Sequence, residues 1–375
     1  MLIQNHSMCK ADFVLRAADT APQNYDGFVV LLDGFFENLR KFYGIKAQPS
    51  FVLAHSNCPL QVLYLGDDIF SIIISLSVID CLCNLCCRLQ CCPPLSDFLA
   101  FSSLPISRDY MGKTIVEITR DMIFGNQTVE ISNVDPSGTV INSALFYLVA
   151  HEYAHIAHGH MDFIASPEFK HFTQDVENRR LTFCALEMDA DSSAVSMLIG
   201  YFEQVELPRL TAIPEEKVRL ETVQTVVFQR YLAGMYCCFL LSDAITDTYL
   251  TKDHPIDYAR FLGAISVAEI VLENKKVGIN GITDRLREKF VELFVLLSGD
   301  INHLQHPMAT NMMILQPGNE RPRRIYSPRG VAAGLAHLEP LIYRWAEIRP
   351  FLETKIRGGF LAPAFQNPAH HESQL

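Results

Sequence analysis

LFYLVAHEYAHIAHGH, residues 145–160, joins an unbroken apolar run to four histidines and one glutamate in the ten positions from 151 to 160. The run Leu145–Ala150 predicts a helix entering a core, where imidazole is costly unless it has a task. His151 and His155 are four residues apart, so on a helix they differ by about 40° in direction and their rings can meet at one point. That point can hold a zinc ion. Glu152 stands beside the pair, where a carboxylate can take a proton from a water on the metal, as a general base does in metal-assisted hydrolysis. His158 and His160 are rotated by about 300° and 140° from His155, away from the direction of His151. They are expected to support the ligands from behind or to face solvent.

A zinc ion that works on water needs a third protein ligand and an open fourth position. The stretch LEMDADSSA, residues 186–194, offers it on a second helix. Glu187 and Asp191 share one helical face, so Glu187 can bind the metal while Asp191 hydrogen-bonds a ligand histidine from behind. Ala190 and Ala194 are small enough to let the two helices approach. The expected set is therefore His151, His155 and Glu187 on Zn2+, with Glu152 as base and Asp191 in support.

HEYAH followed by E-x-x-A-D-x-x-A, Glu187 to Ala194, resembles the gluzincin zinc peptidases of the prenyl-protease and heat-shock membrane protease clan, and is similar to the soluble phage-exclusion peptidases. HPIDYAR, residues 254–260, extends the likeness, because a downstream His-Pro with an arginine six residues after the histidine recurs in that clan. The resemblance spans Ala144 to Arg260. It implies a mainly helical α+β, zincin-like core with a small sheet next to the HExxH helix, and a zinc-dependent endopeptidase acting on a protein or peptide. It further implies that His254 stabilises the oxyanion, that Arg260 orders the site through a carboxylate, and that an edge strand before the HExxH helix pairs with substrate. Val116–Ile118 and Val129–Ile131 are the candidates for that strand. A second His-Pro at His306 competes with His254, although no arginine follows it at the same spacing. The rival reading is a non-catalytic protein in which zinc only pins two helices; an unliganded base at Glu152 argues against it.

Composition narrows the field. The chain has 375 residues, 49% hydrophobic and 19% charged, which suits a folded protein with a large core. With 31 basic and 42 acidic residues, a net charge of −11, broad nucleic-acid binding is not expected. Six of the eleven cysteines fall between Cys81 and Cys92, which reads as core packing in a reducing, cytoplasmic setting rather than as a disulfide framework. The first residues lack a signal-peptide pattern. Ile69–Cys92 and Val226–Ile245 are apolar but interrupted by polar residues, so no transmembrane span is expected; peripheral membrane contact is compatible with the sequence.

Periodicity and breakers predict an N-terminal helical scaffold over 1–104, with helices at Tyr25–Phe42 and Ile69–Cys92, and a peptidase core over 105–300. Within the core, β-branched residues between Gly112 and Val134 predict a hairpin or two short strands. Helices follow near Leu181–Tyr201, Glu215–Leu250, Pro255–Asn274 and Asp284–Leu297. Residues 301–357 read as a loop or lid followed by a helix near Val331–Leu352, and 358–375 as a frayed tail. The sequon at Asn126 reads as a turn, and Arg321–Arg324 as a solvated loop.

Overall fold

The computed structural model describes residues 25–45, 49–55, 60–66, 68–92, 95–99, 112–113, 115–125, 139–208, 220–246, 257–274 and 328–363, with a few positions between 285 and 293. His254, His306, Asn126, Val129–Ile131 and Arg321–Arg324 lie outside the described residues. In chain order the elements are α1 (Asp26–Tyr43), β1 (Ser50–Ala54), β2 (Leu60–Gly66), β3 (Ile69–Ser75), α2 (Leu76–Gln90), α3 (Leu95–Leu99), α4 (Ile115–Phe124), α5 (Thr139–Ala157), α6 (His160–Ile164), α7 (Pro167–Phe172), α8 (Val176–Tyr201), α9 (Leu220–Thr246), α10 (Asp257–Asn274) and α11 (Pro328–Glu353). The described residues are mainly helical with one small mixed sheet, an α+β arrangement.

Helix α5, which carries HEYAH, is the axis of the core: every residue from Val140 to His160 is buried. A helix covered on all sides has no solvent face on which to place polar groups, so each of its histidines must find a partner inside the protein. α1 covers one side. Its Phe28, Leu32, Phe35 and Leu39 are buried, Phe35 meets Phe146 edge to face at 5.1 Å, and Tyr43 stacks on Tyr153 at 5.3 Å. α8 covers another, and begins at an Asp175 cap whose side chain accepts from the Asn178 amide at 2.7 Å.

α9 covers a third. Its stretch Thr225–Ser242 is long and apolar enough to cross a membrane, but 78% of it is buried within the protein, where it runs beside α5. Gly234 permits that approach, because a Cβ there would be driven into Ser143 Oγ and the Val140 carbonyl of α5.

The sheet has the order β1-β3-β2, with β3 parallel to β1 and antiparallel to β2, and it packs on α5. Its position corrects two expectations. Ile69–Cys92 is not one helix: Ile69–Ser75 is the central strand and the helix starts at Leu76, with Ser75 still extended at ψ 133°. A strand buried on both faces reads as a continuous apolar run, which periodicity cannot separate from a buried helix, and here Ile72–Ile74 are β-branched. Conversely, Ile115–Phe124 is helical, so Val116–Ile118 is not a substrate-pairing strand. Ile118 and Thr119 are buried with Met122 and Ile123 one turn later, two adjacent pairs that fit one face of a helix and not the alternation of a strand. The cysteine-rich stretch lies in α2, where Cys86 meets Cys237 of α9 and burial holds its thiol well above the usual range. It packs as a small apolar group. The nine described cysteines are free.

Residues 358–363, expected as the start of a frayed tail, are held in place. Arg357 and Gly358 donate to the Ala157 carbonyl at 2.7 and 3.1 Å, Gly359 to that of Tyr43 at 2.8 Å, and Ala362 to the Asp189 carboxylate at 2.7 Å. Gly159 makes room for this segment. Its φ of 71° ends α5 in the left-handed region, and any Cβ there would strike the Lys355 carbonyl. Arg357 also chelates Asp162 at 2.9 and 3.0 Å and reaches Asp68 at 2.7 Å, which ties the segment to α6 and to the β2–β3 turn.

Two glycines test this packing in opposite directions. Gly234→Ala should destabilise the protein by about 1–3 kcal/mol, because the methyl group meets backbone of α5 that cannot move away. Gly263→Ala, in α10 with nothing within 4 Å of the new Cβ, should stabilise it by up to about 1 kcal/mol. Urea denaturation of both variants measures the contrast, and equal midpoints would contradict the close α5–α9 crossing.

Candidate metal centre

The α5 face bearing residues 147, 151 and 155 meets the α8 face bearing residues 187 and 191. His151 Nε2 lies 3.1 Å from Glu187 Oε2 and 3.2 Å from His155 Nε2, and His155 Nε2 lies 3.5 Å from Glu187 Oε1. One ligand atom from each of the three residues lies within 4.8 Å of the others, so the group could hold a metal ion. All three side chains are nearly closed to solvent.

Behind the ligands stands a layer of hydrogen bonds. His151 Nδ1 is 2.8 Å from Asp191 Oδ1, the support expected of Asp191. Arg260 of α10 clasps the same carboxylate with two bonds, Nε to Oδ2 at 2.7 Å and Nη2 to Oδ1 at 2.8 Å, and its Nη2 is 3.8 Å from Glu187 Oε2. Tyr147 donates to Asp191 Oδ1 at 2.8 Å. Arg260 therefore reaches the site through Asp191. Tyr147 was not singled out in the sequence, though it lies one turn before His151 on the same helical face.

The charges of these side chains do not balance by themselves. Glu152, Glu187 and Asp191 are three buried carboxylates facing one buried guanidinium, Arg260. Fully ionised, they leave an excess of two negative charges out of contact with water, which a single divalent cation cancels. Protons can take its place. Burial works against a charged His151, but Asp191 and Glu187 outweigh it and push the imidazole up to about 9. Burial pushes Glu152 up to about 7. Asp191 stays ionised, since Arg260 and His151 overcome its burial and hold it below the usual carboxylate range. His155, which burial drives well below its ordinary value, stays neutral with a lone pair to offer.

His158 and His160 are wholly buried, so the solvent-facing alternative is wrong for both. Gly159 turns the chain and sets His160 at the head of α6, so the rotation expected of one continuous helix does not apply. His160 Nδ1 lies 2.8 Å from His155 Nδ1, and His160 Nε2 lies 3.1 Å from Asp189 Oδ2, which also bonds His158 Nδ1. His158, His160 and Asp189 form a second group with the geometry to hold a metal. Among the described residues neither metal-capable group includes a cysteine. Asp189 was missed in the sequence. Its signal was a third acidic residue, beside Glu187 and Asp191, in the short stretch Leu186–Ala194.

Compared with protein-family models, with curated proteins and with solved structures, the chain gives no match.

Metal and protons compete for this centre, and the competition has a defined sign. A metal must displace the His151 proton below about pH 9. The apparent zinc affinity, measured by chelator competition, should therefore rise with pH. Its logarithm should climb with a slope of about one up to about pH 8, and flatten above about pH 9.5. His155→Ala or Glu187→Ala should remove most of the binding. A pH-independent affinity, or full affinity in both variants, would contradict the assignment.

Proposed function

We propose that the protein is a zinc-dependent endopeptidase whose base is Glu152. The observation that carries this reading is the state of Glu152 itself. It is buried beside a metal ligand, and its Oε1 is fully covered with no hydrogen-bond partner. Leaving a buried polar atom unpaired costs about 1–3 kcal/mol. A carboxylate kept so is used when a proton-bearing reactant arrives, and a value pushed up to about 7 suits a group that both takes and returns a proton at neutral pH.

The donor set supports zinc. Ligand atoms around a tetrahedral zinc with bonds of about 2.0–2.1 Å are about 3.3 Å apart. The two histidine nitrogens, 3.2 Å apart, have that spacing, and each faces a different oxygen of Glu187, at 3.1 Å from His151 and 3.5 Å from His155. His151, His155 and Glu187 would hold the ion, and when bound it supplies Lewis acidity and a nucleophilic water at neutral pH. The chain's own residues do the rest. Glu152 takes a proton from the attacking water and delivers it to the leaving amine. Asp191 keeps the His151 ring turned toward the site, and Arg260 and Tyr147 hold Asp191 in that position. His254 as the oxyanion donor rests on the HPIDYAR resemblance, as does a protein or peptide as substrate.

A second reading has an observation of its own. The three ligands are so thoroughly buried that a metal could simply pin α5 to α8, without catalysis. Glu152→Gln separates the two, because it keeps the shape of the side chain and removes the base. Zinc content should stay at the wild-type level, while cleavage of proteome-derived peptides, read by mass spectrometry, should fall by on the order of 100-fold or more. Equal cleavage by wild type and variant would overturn the mechanism, and the absence of any cleavage by wild type would favour the pinning role.

A further inference from the structure

The second histidine cluster lies between the first one and the C-terminal segment, and proton counting decides what it does. A neutral imidazole carries one proton. If His155 offers its Nε2 lone pair to a metal, that proton is on Nδ1, and the polar atom that faces Nδ1 among the described residues is His160 Nδ1 at 2.8 Å. His160 Nδ1 must then accept, so the His160 proton is on Nε2, where it faces Asp189 Oδ2 at 3.1 Å. Asp189 is fixed in turn. It accepts from His158 Nδ1 and, on its other oxygen, from the Ala362 amide at 2.7 Å. Asp189, His158 and His160 are sealed from solvent.

We propose that His160 is a positioning residue, which with Asp189 fixes His155 in the tautomer that binds metal, and that the His158/His160/Asp189 cluster is not a second metal site. The inference rests on the metal reading of the His151/His155/Glu187 centre. Its consequence for stoichiometry is direct: a metal on His160 Nε2 would need the nitrogen that the chain of hydrogen bonds has protonated, so a neutral His160 cannot serve both centres. The two ligand histidines are then backed from opposite sides. His151 Nδ1 lies 2.8 Å from Asp191, which Arg260 anchors, whereas His155 donates to His160, anchored by Asp189 and through it by the backbone of residue 362. Imidazole ligands oriented in this way bind metal 10- to 100-fold more tightly than unsupported ones, as an order of magnitude.

The test uses the full chain and zinc as the probe. Wild type should bind one zinc per chain by elemental analysis. In chelator competition His160→Leu should weaken that zinc by about 10- to 100-fold, with its fold verified by circular dichroism. His160→Asn, whose Oδ1 can accept from His155 Nδ1, should recover most of the loss. Two zinc ions per wild-type chain, or unchanged affinity in His160→Leu, would overturn the proposal. Should His160→Leu fail to fold, nitrogen-15 spectra of histidine-labelled, zinc-loaded wild type decide the matter. They should show His155 protonated at Nδ1 and His160 at Nε2, and the opposite tautomers would overturn it. Wild type that binds no zinc would overturn both this proposal and the metal reading. One zinc with the expected losses but no peptide cleavage would uphold the positioning role and sink only the peptidase.

Discussion

Among the described residues three carboxylates, Glu152, Glu187 and Asp191, are sealed with one guanidinium, Arg260, between α5, α8 and α10, and this imbalance of fixed charge is the constraint on which the centre depends. An uncompensated charge in the interior costs several kcal/mol, so this arrangement persists only with cations or protons inside it. The same seclusion makes the arrangement useful. With water excluded, the attraction between the site and a divalent ion is little screened, and a carboxylate such as Glu152 can be kept poised near neutrality. The aromatic contacts of α1, the sheet, and the close crossing of α9 at Gly234 all seal α5, and thereby set the electrostatics of the centre.

The hydrogen bonds and ion pairs behind the candidate ligands divide by the histidine they serve. On the His151 side, Asp191 collects Arg260 and Tyr147, which draws α10 into the centre. On the His155 side, the chain of bonds runs through His160 and Asp189 to the backbone of Ala362, in a segment that also crosses the end of α5 at Gly159. The C-terminal segment is thus part of the support for the centre. Arg357, fixed to Asp162 and Asp68 and lying over the Phe70 ring at 4.9 Å, keeps that segment in place.

The centre was more legible in the sequence than the fold was. His151, His155, Glu187 and Asp191 could be grouped because helical spacing alone fixes which side chains share a face, and their separations in the structure follow that geometry. His160 escaped, because its direction depends on the left-handed turn at Gly159, and a rotation counted along one helix cannot see a turn. Asp189 escaped for a related reason: it lies almost opposite Glu187 on α8, and has a purpose only once the chain has turned back toward it. The strand at Ile69–Ser75 was hidden by its own burial, since a run covered on both faces has no period to read. The helix at Ile115–Phe124 was hidden by β-branched residues whose local preference the packing overrides.

The arrangement of side chains calls for one ion, between His151, His155 and Glu187. Anomalous diffraction from zinc-grown crystals, recorded on both sides of the zinc absorption edge, tests it most directly. A single peak between His151 Nε2, His155 Nε2 and Glu187, with none at His158, His160 and Asp189, is the predicted result. A peak at the second cluster, or none at the first, would contradict the account.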